Sequence, residues 1–591
     1  GIGLAIGSEC FYGEASNTEW IAFLTRVLPE RDWVGHHAKY DLAVLRRHGI
    51  VAGPLVGDSI LVAYLLGTPS AGLKPLVREH FGYAHTTYAE VVGEGKNRRP
   101  ISAVDPKITA AYCSGDAYFA VQLERKLEPQ LSEQTRRLYH EVDLPITELL
   151  VEMQLAGIHL DREGVAKALA QVTRHLASIA SVVDKLVREQ GWAKADRIWV
   201  CTGCRNGKNK RLTCEVCKGQ GKFSETQPIN LSSSDQLASF YHDHLNLPVQ
   251  KLTDTGKPSV DALALLRMQA LHVTIPLVLS WKRLEKAREF FVQWLQQSKK
   301  DSKLHTVFSS SRVKSSRFSS TAPNLQQVKL EWRRYFVAGK DEKLIAGDYS
   351  MIEVRVGAHA SHDPAMLRIM QADPHTEEGD LHGQNVKALF NIPYEDQGQH
   401  PAARVRAKNF MFGAMYGSKG EEVHAVLEKW ALENPEIMPQ PPTLEEVKRG
   451  IYTMHDVYPR YFKEWVPYEL HMARERGGIA LTCYGRPRVL AELFSKDQYE
   501  RGAAERECIS HAIQGTATGD ITRLALLKVR GIPHGHPCLV VHDEILSRVD
   551  KERAAWYAQK MEKAMLLKQP FADVPLVVSM KIADNWRDAH A

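Results

Sequence analysis

Two apolar runs that meet aspartates organise the hydrophobic pattern of this chain. Leu344-Ile345-Ala346-Gly347-Asp348-Tyr349-Ser350 reads as a short buried strand ending on a carboxylate, and helical periodicity follows from Met351 to Ala360. Leu539-Val540-Val541-His542-Asp543-Glu544-Ile545-Leu546 has a polar tip between apolar flanks, which predicts a β-hairpin whose turn presents Asp543. Between the two lies Arg404, Lys408, Phe412 and Tyr416, a four-residue spacing that puts two cations and then two aromatics along one helical stripe. Gly413 and Gly417 allow close backbone approach, and Gly417 is placed to end that helix.

The same pattern divides the chain into regions. Residues 1–128 open on a strand-like Gly1 to Gly7 and then alternate helical and strand periods, predicting an α/β domain. Residues 129–305 are mostly helical, with a Cys/Gly/Lys-rich insert at about 192–226. Segments 306–365 and 500–591 hold the two aspartates, and 366–499 holds the Arg404 helix and a Pro-rich loop from Pro435 to Pro442. No internal repeat interrupts this order.

Composition narrows the class. At 591 residues the chain exceeds a single core, and its 44% hydrophobic and 25% charged content is that of an ordinary globular protein. A net charge of +6 is mild, so binding to a polyanion would depend on a local groove rather than on a globally basic surface. No apolar run approaches the roughly 18 residues of a membrane span. The chain opens on Gly1, not Met, so any targeting segment, including an organellar one, would lie upstream. A cytoplasmic setting is expected, in a bacterial or phage-infected cell.

The chemistry enters through the charged positions. Either aspartate alone reads as a capping or surface residue. Two carboxylates brought together from distant strands repel unless cations lie between them, and a pair of Mg²⁺ ions is the usual arrangement for in-line attack on phosphate. Arg404 and Lys408 suit a triphosphate, Arg as a fork and Lys as a point charge, while Phe412 and Tyr416 suit a base and sugar. In the insert, Cys201-x-x-Cys204 and Cys214-x-x-Cys217 provide four thiolates at a spacing suited to tetrahedral Zn²⁺. The neighbouring Lys208, Lys210, Arg211, Lys218 and Lys222 could follow phosphates or simply be solvated.

These residues resemble the motifs of family A DNA polymerases, the DNA polymerase I type. Asp348-Tyr-Ser-Met-Ile-Glu353-Val-Arg355 is similar to motif A, Arg404 through Gly417 to motif B, and Val541-His542-Asp543-Glu544 to motif C. Glu152 to Asp161 resembles the entry to the thumb, and Ser316-Arg317 through Gln326 a primer-side loop. Met351, Met411 and Ser510 depart from the usual glutamine and asparagines, and Ser315-Ser316 replaces the usual Thr-Gly, which bears on minor-groove contacts rather than on the reaction. Gly35-His-His37-Ala-Lys-Tyr40-Asp41 and Tyr112-Cys-Ser-Gly-Asp116 resemble two motifs of DnaQ-like 3′→5′ exonucleases. The first such motif, a metal-binding Asp-x-Glu, would fall upstream of Gly1.

The resemblance implies a multidomain α/β and α+β fold, a right hand of palm, fingers and thumb preceded by an RNase H-like exonuclease-type domain. Its expected parts are exonuclease-like 1–128, thumb 129–305, palm 306–365 and 500–591, and fingers 366–499. It implies template-directed DNA synthesis, with Asp348, Asp543 and Lys408 catalytic and two Mg²⁺ ions on the aspartates. Arg404, Lys408, Phe412, Tyr416, Glu353, His382 and Tyr349 would serve the incoming dNTP. Arg317, Asn324, Gln326, Arg506, Gln514 and His542 would contact primer-template DNA. Asp41, Tyr112 and Asp116 would be remnants of an exonuclease site with weak or absent proofreading. A monomer is expected, with replication accessory proteins as further partners and no membrane. A single-subunit RNA polymerase, a stand-alone exonuclease and a non-catalytic zinc-bearing scaffold are the alternative classes.

Overall fold

The computed structural model describes residues 1–68, 70–192, 227–567 and 570–590, together with the backbone of 197–200 and 222–225. Contacts group the chain into two compact units, the first comprising Gly1–Leu160, Lys300–Gly420 and Lys448–Ala591, the second Asp161–Lys299 and Glu421–Val447.

The first unit begins with an antiparallel hairpin, Ile2–Ile6 with Glu9–Gly13, which packs on the long helix Pro106–Leu127. A parallel pair follows, Trp33–Gly35 with Leu55–Asp58, joined through the helix Ala38–Arg47 as parallel strands require. Asp58 closes this βαβ unit. One carboxylate oxygen accepts from the amide of His37 (2.8 Å), the other from Ala38 (3.0 Å), so the turn into the helix is tied to the end of the second strand. Leu61, Val62, Leu65, Leu76, Leu123 and Leu127 form the core beneath.

A four-stranded antiparallel sheet holds the later part of the same unit, in the order Gly535–Val541, Glu544–Asp550, Glu342–Tyr349, Val578–Ala583. The first predicted run is a central strand and the second spans the edge strand Gly535–Val541 and the central strand Glu544–Asp550, with Leu344, Ile345, Ala346, Ile545 and Leu546 fully buried. Gly347 is small for a packing reason. A β-carbon there would lie 2.5 Å from the Met565 sulfur, on the helix Ala554–Met565 that covers the sheet. The helix Ile352–Ser361 leaves the sheet through Met351, whose φ of 51° makes a tight left-handed entry. It packs on the buried π-type segment His511–Ile521, a wide helical form frequent at functional sites.

A buried ion network holds this region together. Arg486 donates to Asp143 (2.8 Å) and Asp520 (2.6 Å), and all three side chains are at most 5% exposed. Thr482 also donates to Asp520, at 2.6 Å. Arg523, equally buried, lies 3.6 Å from Asp143 and donates to the carbonyls of Ser316 (2.8 Å) and Ser310 (2.6 Å). Four chain segments thus converge on charges that have left water and depend on one another.

The second unit is built on two long helices, Arg162–Glu189 and Thr274–Gln297, packed side by side. Asp161 starts the first by accepting from the amide of Gly164 (2.9 Å). Val183, Val187, Phe240, Leu265, Ile275 and Val278 fill its core. Arg267 forks onto Glu428 of the helix Glu421–Glu433 (2.7 and 2.6 Å). The strands Arg197–Val200 and Lys222–Glu225 pair antiparallel with Val200 opposite Lys222. The cysteine pairs between them, Cys201, Cys204, Cys214 and Cys217, lie outside the described residues. Among the described residues no helix is long and apolar enough to cross a membrane.

Removing one charge from the buried network strands the others, whereas an exposed pair contributes little. Asp520→Asn should lower unfolding free energy by about 3–5 kcal/mol. Asp235→Asn, which breaks the exposed Lys257–Asp235 contact, should leave it unchanged. Urea denaturation of both variants checks this, and equal stability of Asp520→Asn and the native chain would show that the network does not carry the fold.

Candidate active site

Strand register brings the acidic residues together. Asp348, near the end of Glu342–Tyr349, stands opposite Glu544, and Asp543 occupies the hairpin turn immediately before Glu544. His542, the other turn residue, adopts the left-handed φ of 55° that so tight a turn demands. Gln326 braces the hairpin. Its amide donates to the Val540 carbonyl (2.7 Å) and accepts from the His542 N–H (3.4 Å), so in this structure Gln326 holds the turn that carries Asp543. Asn324 accepts from the Gln326 amide (3.0 Å) and shapes the loop leading there.

The three carboxylates are treated differently. Glu544 is 3% exposed and fully engaged, accepting from Arg333 (3.4 Å), the Trp586 indole N–H and His590. The Arg333 guanidinium also lies 4.2 Å from the Trp586 ring centroid. Asp348 has no ion pair among the described residues, although Arg333 and His590 act on it electrostatically. Burial and then the charges of Asp543 and Glu544 push its carboxyl up to about 7. Burial, followed by Glu353 and Glu544, raises Asp543 to about 6. A pair of half-buried oxygen donors whose proton affinities are raised by burial and by neighbouring carboxylates suits a hard divalent cation that completes its shell with water and phosphate oxygens. Among the described residues no cluster of three or more His, Cys, Asp or Glu side chains is arranged as a complete metal cage. The trapping of Glu544 by Arg333, Trp586 and His590 was not legible in the sequence, because it joins segments far apart in the chain and has no local period.

Glu353, in the first turn of Ile352–Ser361, is the hub beside the aspartates. It accepts from Arg317 (2.5 Å) and from the Tyr416 hydroxyl. Arg317 also donates to Thr518 (3.0 Å), and Gln514 hydrogen-bonds the Tyr416 hydroxyl. Arg506 lies over Gly417, with its Cγ 3.3 Å from where a β-carbon would stand. Residues proposed for the nucleotide and for DNA therefore meet in one polar network.

The predicted helix is present as Pro401–Met415, with Pro at its first turn, and Gly417 beyond it has a φ of 67°. Arg404 is not free. It forks onto Asp380 (2.7 and 3.0 Å), which also caps the helix Leu381–Phe390 through the Gly383 amide (3.2 Å). Lys408, one turn on, is exposed and carries no ion pair among the described residues. His382 lies alongside, its ring centroid 6.4 Å from that of Phe412. Burial, then Arg404 and Lys408, lowers its pKa to about 4, and its buried Nδ1 has no hydrogen-bond partner among the described residues. Tyr349 falls outside this group. Alternation along the strand turns it away from Asp348, and its 2% exposed side chain donates to the Met565 carbonyl (2.7 Å).

At the second candidate centre, Asp116 and Tyr112 lie one turn apart on Pro106–Leu127. Asp116 is paired with the Lys74 ammonium and with His85 (2.7 Å), and Lys74 lies 4.4 Å from the Tyr112 ring centroid. Asp41, on Ala38–Arg47, is within electrostatic reach of Cys113.

Comparison with known proteins shows the family and the fold. The chain is 28% identical over 563 residues to the thermostable DNA polymerase I of Thermus aquaticus, covering 93% of this chain and 57% of the relative. It is 26% identical over 582 residues to DNA polymerase I of Chloroflexus aurantiacus, covering 94% and 55%. The chain thus spans about half the length of the curated relatives it matches. Its fold matches the POL domain of Pol1 from M. smegmatis, a structure in complex with DNA primer-template and dNTP, with a TM-score of 0.77 at 24% identity over 99% of this chain and 93% of that one. The 3′-5′ exonuclease family matches residues 3–132. DNA polymerase family A matches residues 208–588, more than half the chain, and it is to this family that the chain belongs.

Proposed function

We propose that the chain extends a DNA primer by template-directed nucleotidyl transfer, the primer 3′-hydroxyl attacking the α-phosphate of a dNTP with loss of pyrophosphate. The observation that carries this reading is the pair Asp348 and Asp543, with raised proton affinities at one end of the sheet, and beside it Glu353 bonded to Tyr416 at the end of the helix that bears Arg404, Lys408 and Phe412. Asp348 and Asp543 would hold two Mg²⁺ ions. When bound, these supply positive charge that favours ionisation of the 3′-hydroxyl and offsets charge on the leaving pyrophosphate. Lys408 meets the triphosphate directly, and Arg404 joins it by sharing or leaving Asp380. Neutral His382 offers a hydrogen bond without adding charge. Phe412 packs on the nucleotide, and Glu353, fixed by Arg317 and Tyr416, closes the space below C2′ of the sugar. Arg317, Arg506, Gln514 and His542 face the primer-template, with Asn324 and Gln326 supporting them. Base choice then comes from pairing with the template in a site that closes on the correct fit.

Two further parts of the reading concern the flanking features. Proofreading is weak or absent, because Lys74 and His85 occupy the carboxylate of Asp116 that a metal would need. Cys201, Cys204, Cys214 and Cys217 hold one structural Zn²⁺. This is supported by their paired spacing and by the antiparallel strands that bring Val200 beside Lys222.

Primer extension tests the central reading. Asp348→Asn or Asp543→Asn should abolish extension while primer-template binding persists, and the native chain should use dNTPs, reject rNTPs and leave a mismatched 3′ end in place. Near-normal extension by either variant, or equal use of rNTPs, would sink it.

The raised carboxyls also predict a pH dependence. Because both pKa values lie above the ordinary 3.8, their protonated forms favour the folded state. That contribution is full below 3.8 and is lost as pH rises through about 6 and about 7. Mg²⁺ needs the ionised forms. Its stabilisation of the chain should therefore be small at about pH 5.5 and larger at about pH 8. Thermal unfolding with and without Mg²⁺ reads this directly, and a shift independent of pH would contradict it.

Elemental analysis should find one zinc per chain, lost in Cys214→Ser without loss of single-nucleotide incorporation. Metal-free native protein would refute the zinc site.

A further inference from the structure

We propose that the N-terminal α/β domain acts on the transfer site through Tyr64, a positioning residue that sets Arg317 for the primer strand. The inference rests on the reading of Arg317 as a primer contact.

Tyr64 lies on the helix Ser59–Leu65, between the buried Ala63 and Leu65, and its ring packs on the core of that domain. Its hydroxyl leaves the domain. It donates to the Val313 carbonyl (3.2 Å) and meets the Ser316 hydroxyl (3.2 Å), the phenol oxygen being free to accept there. Val313 and Ser316 are the ends of one tight turn, closed by the Ser316 amide donating to the same Val313 carbonyl (3.0 Å).

That turn needs support. Ser316 is 1% exposed and has a φ of 61°, a left-handed backbone that residues with a β-carbon rarely adopt. From the sheet side, Arg523 donates to the Ser316 carbonyl (2.8 Å), and Arg488 donates to the Lys314 carbonyl (2.7 Å). From the N-terminal domain, the Tyr64 hydroxyl bonds both ends of the turn. The next residue is Arg317, and the direction of its side chain toward Thr518 and Glu353 follows from the backbone of Ser316. Without the phenol hydroxyl the strained turn is held from one side only, and its relaxation would swing Arg317 away from Glu353. The domain thus contributes to DNA synthesis without hydrolysing anything.

The test uses the full chain with a fluorescent primer-template duplex. Tyr64→Phe keeps the ring and its packing and removes only the hydroxyl, so the chain should still fold cooperatively with its thermal unfolding lowered only slightly. Its affinity for the duplex should fall, by up to about fivefold if the whole of one neutral hydrogen bond is spent on holding Arg317, while KM for dNTP at saturating duplex stays the same. Arg317→Ala should weaken the duplex further, and adding Tyr64→Phe to it should change nothing more, because both act through one side chain. Native affinity in Tyr64→Phe, or losses that multiply in the double variant, would overturn the inference while leaving Arg317 as a primer contact. Unchanged affinity in Arg317→Ala would overturn the primer reading and the inference with it.

Discussion

Antiparallel pairing of Glu342–Tyr349 with Glu544–Asp550 forces three carboxylates to one end of a sheet, and much of the surrounding structure responds to that concentration of buried negative charge. Like charges out of water repel strongly, so each must be protonated, paired or shared with a cation. The protein divides the burden. Glu544 is held by Arg333, Trp586 and His590, whereas Asp348 and Asp543 have raised proton affinities and no such set of partners among the described residues. Had all three been paired with arginines the sheet would be more comfortable and the edge chemically inert.

Around this edge the polar side chains are held by one another before any ligand arrives. Glu353 ties Arg317 to Tyr416, Gln326 spans the hairpin of Asp543, and Asp380 holds Arg404. Such preorganisation fixes geometry at the expense of free hydrogen-bonding capacity. Lys408 is the exception, an exposed cation without an ion-pair partner among the described residues, which fits a group whose partner is a mobile triphosphate. The buried Arg486, Arg523, Asp143 and Asp520 network serves the same end from behind, because it anchors the π-type segment that supplies Gln514 and Thr518.

The N-terminal domain shows the same economy of contacts. Asp116, one of its candidate hydrolytic residues, is engaged by Lys74 and His85, and its helix Ser59–Leu65 reaches the turn Val313 to Ser316 through the Tyr64 hydroxyl. A domain held to a neighbour by hydrogen bonds to a strained turn influences that turn whether or not it retains chemistry of its own.

The sequence by itself determined the elements and the order of the chemistry. Short continuous apolar runs set the strand of Asp348 and the hairpin of Asp543, and the four-residue spacing of Arg404, Lys408, Phe412 and Tyr416 set a helix, because both depend only on local pattern. Cysteine pairs were equally plain as a pattern. Pairing between distant segments was not. Nothing local distinguishes Asp348, without an ion pair among the described residues, from Glu544, locked by Trp586 and His590, and nothing local reveals that Arg404 forks onto Asp380 or that Tyr349 turns its hydroxyl inward to Met565. Side-chain identity and spacing travel along the chain, but burial and partner choice arise only when sheet register and helix packing bring remote residues within a few ångströms. Tertiary structure therefore decided which of the recognisable residues are free to act and which are spent holding the others in place.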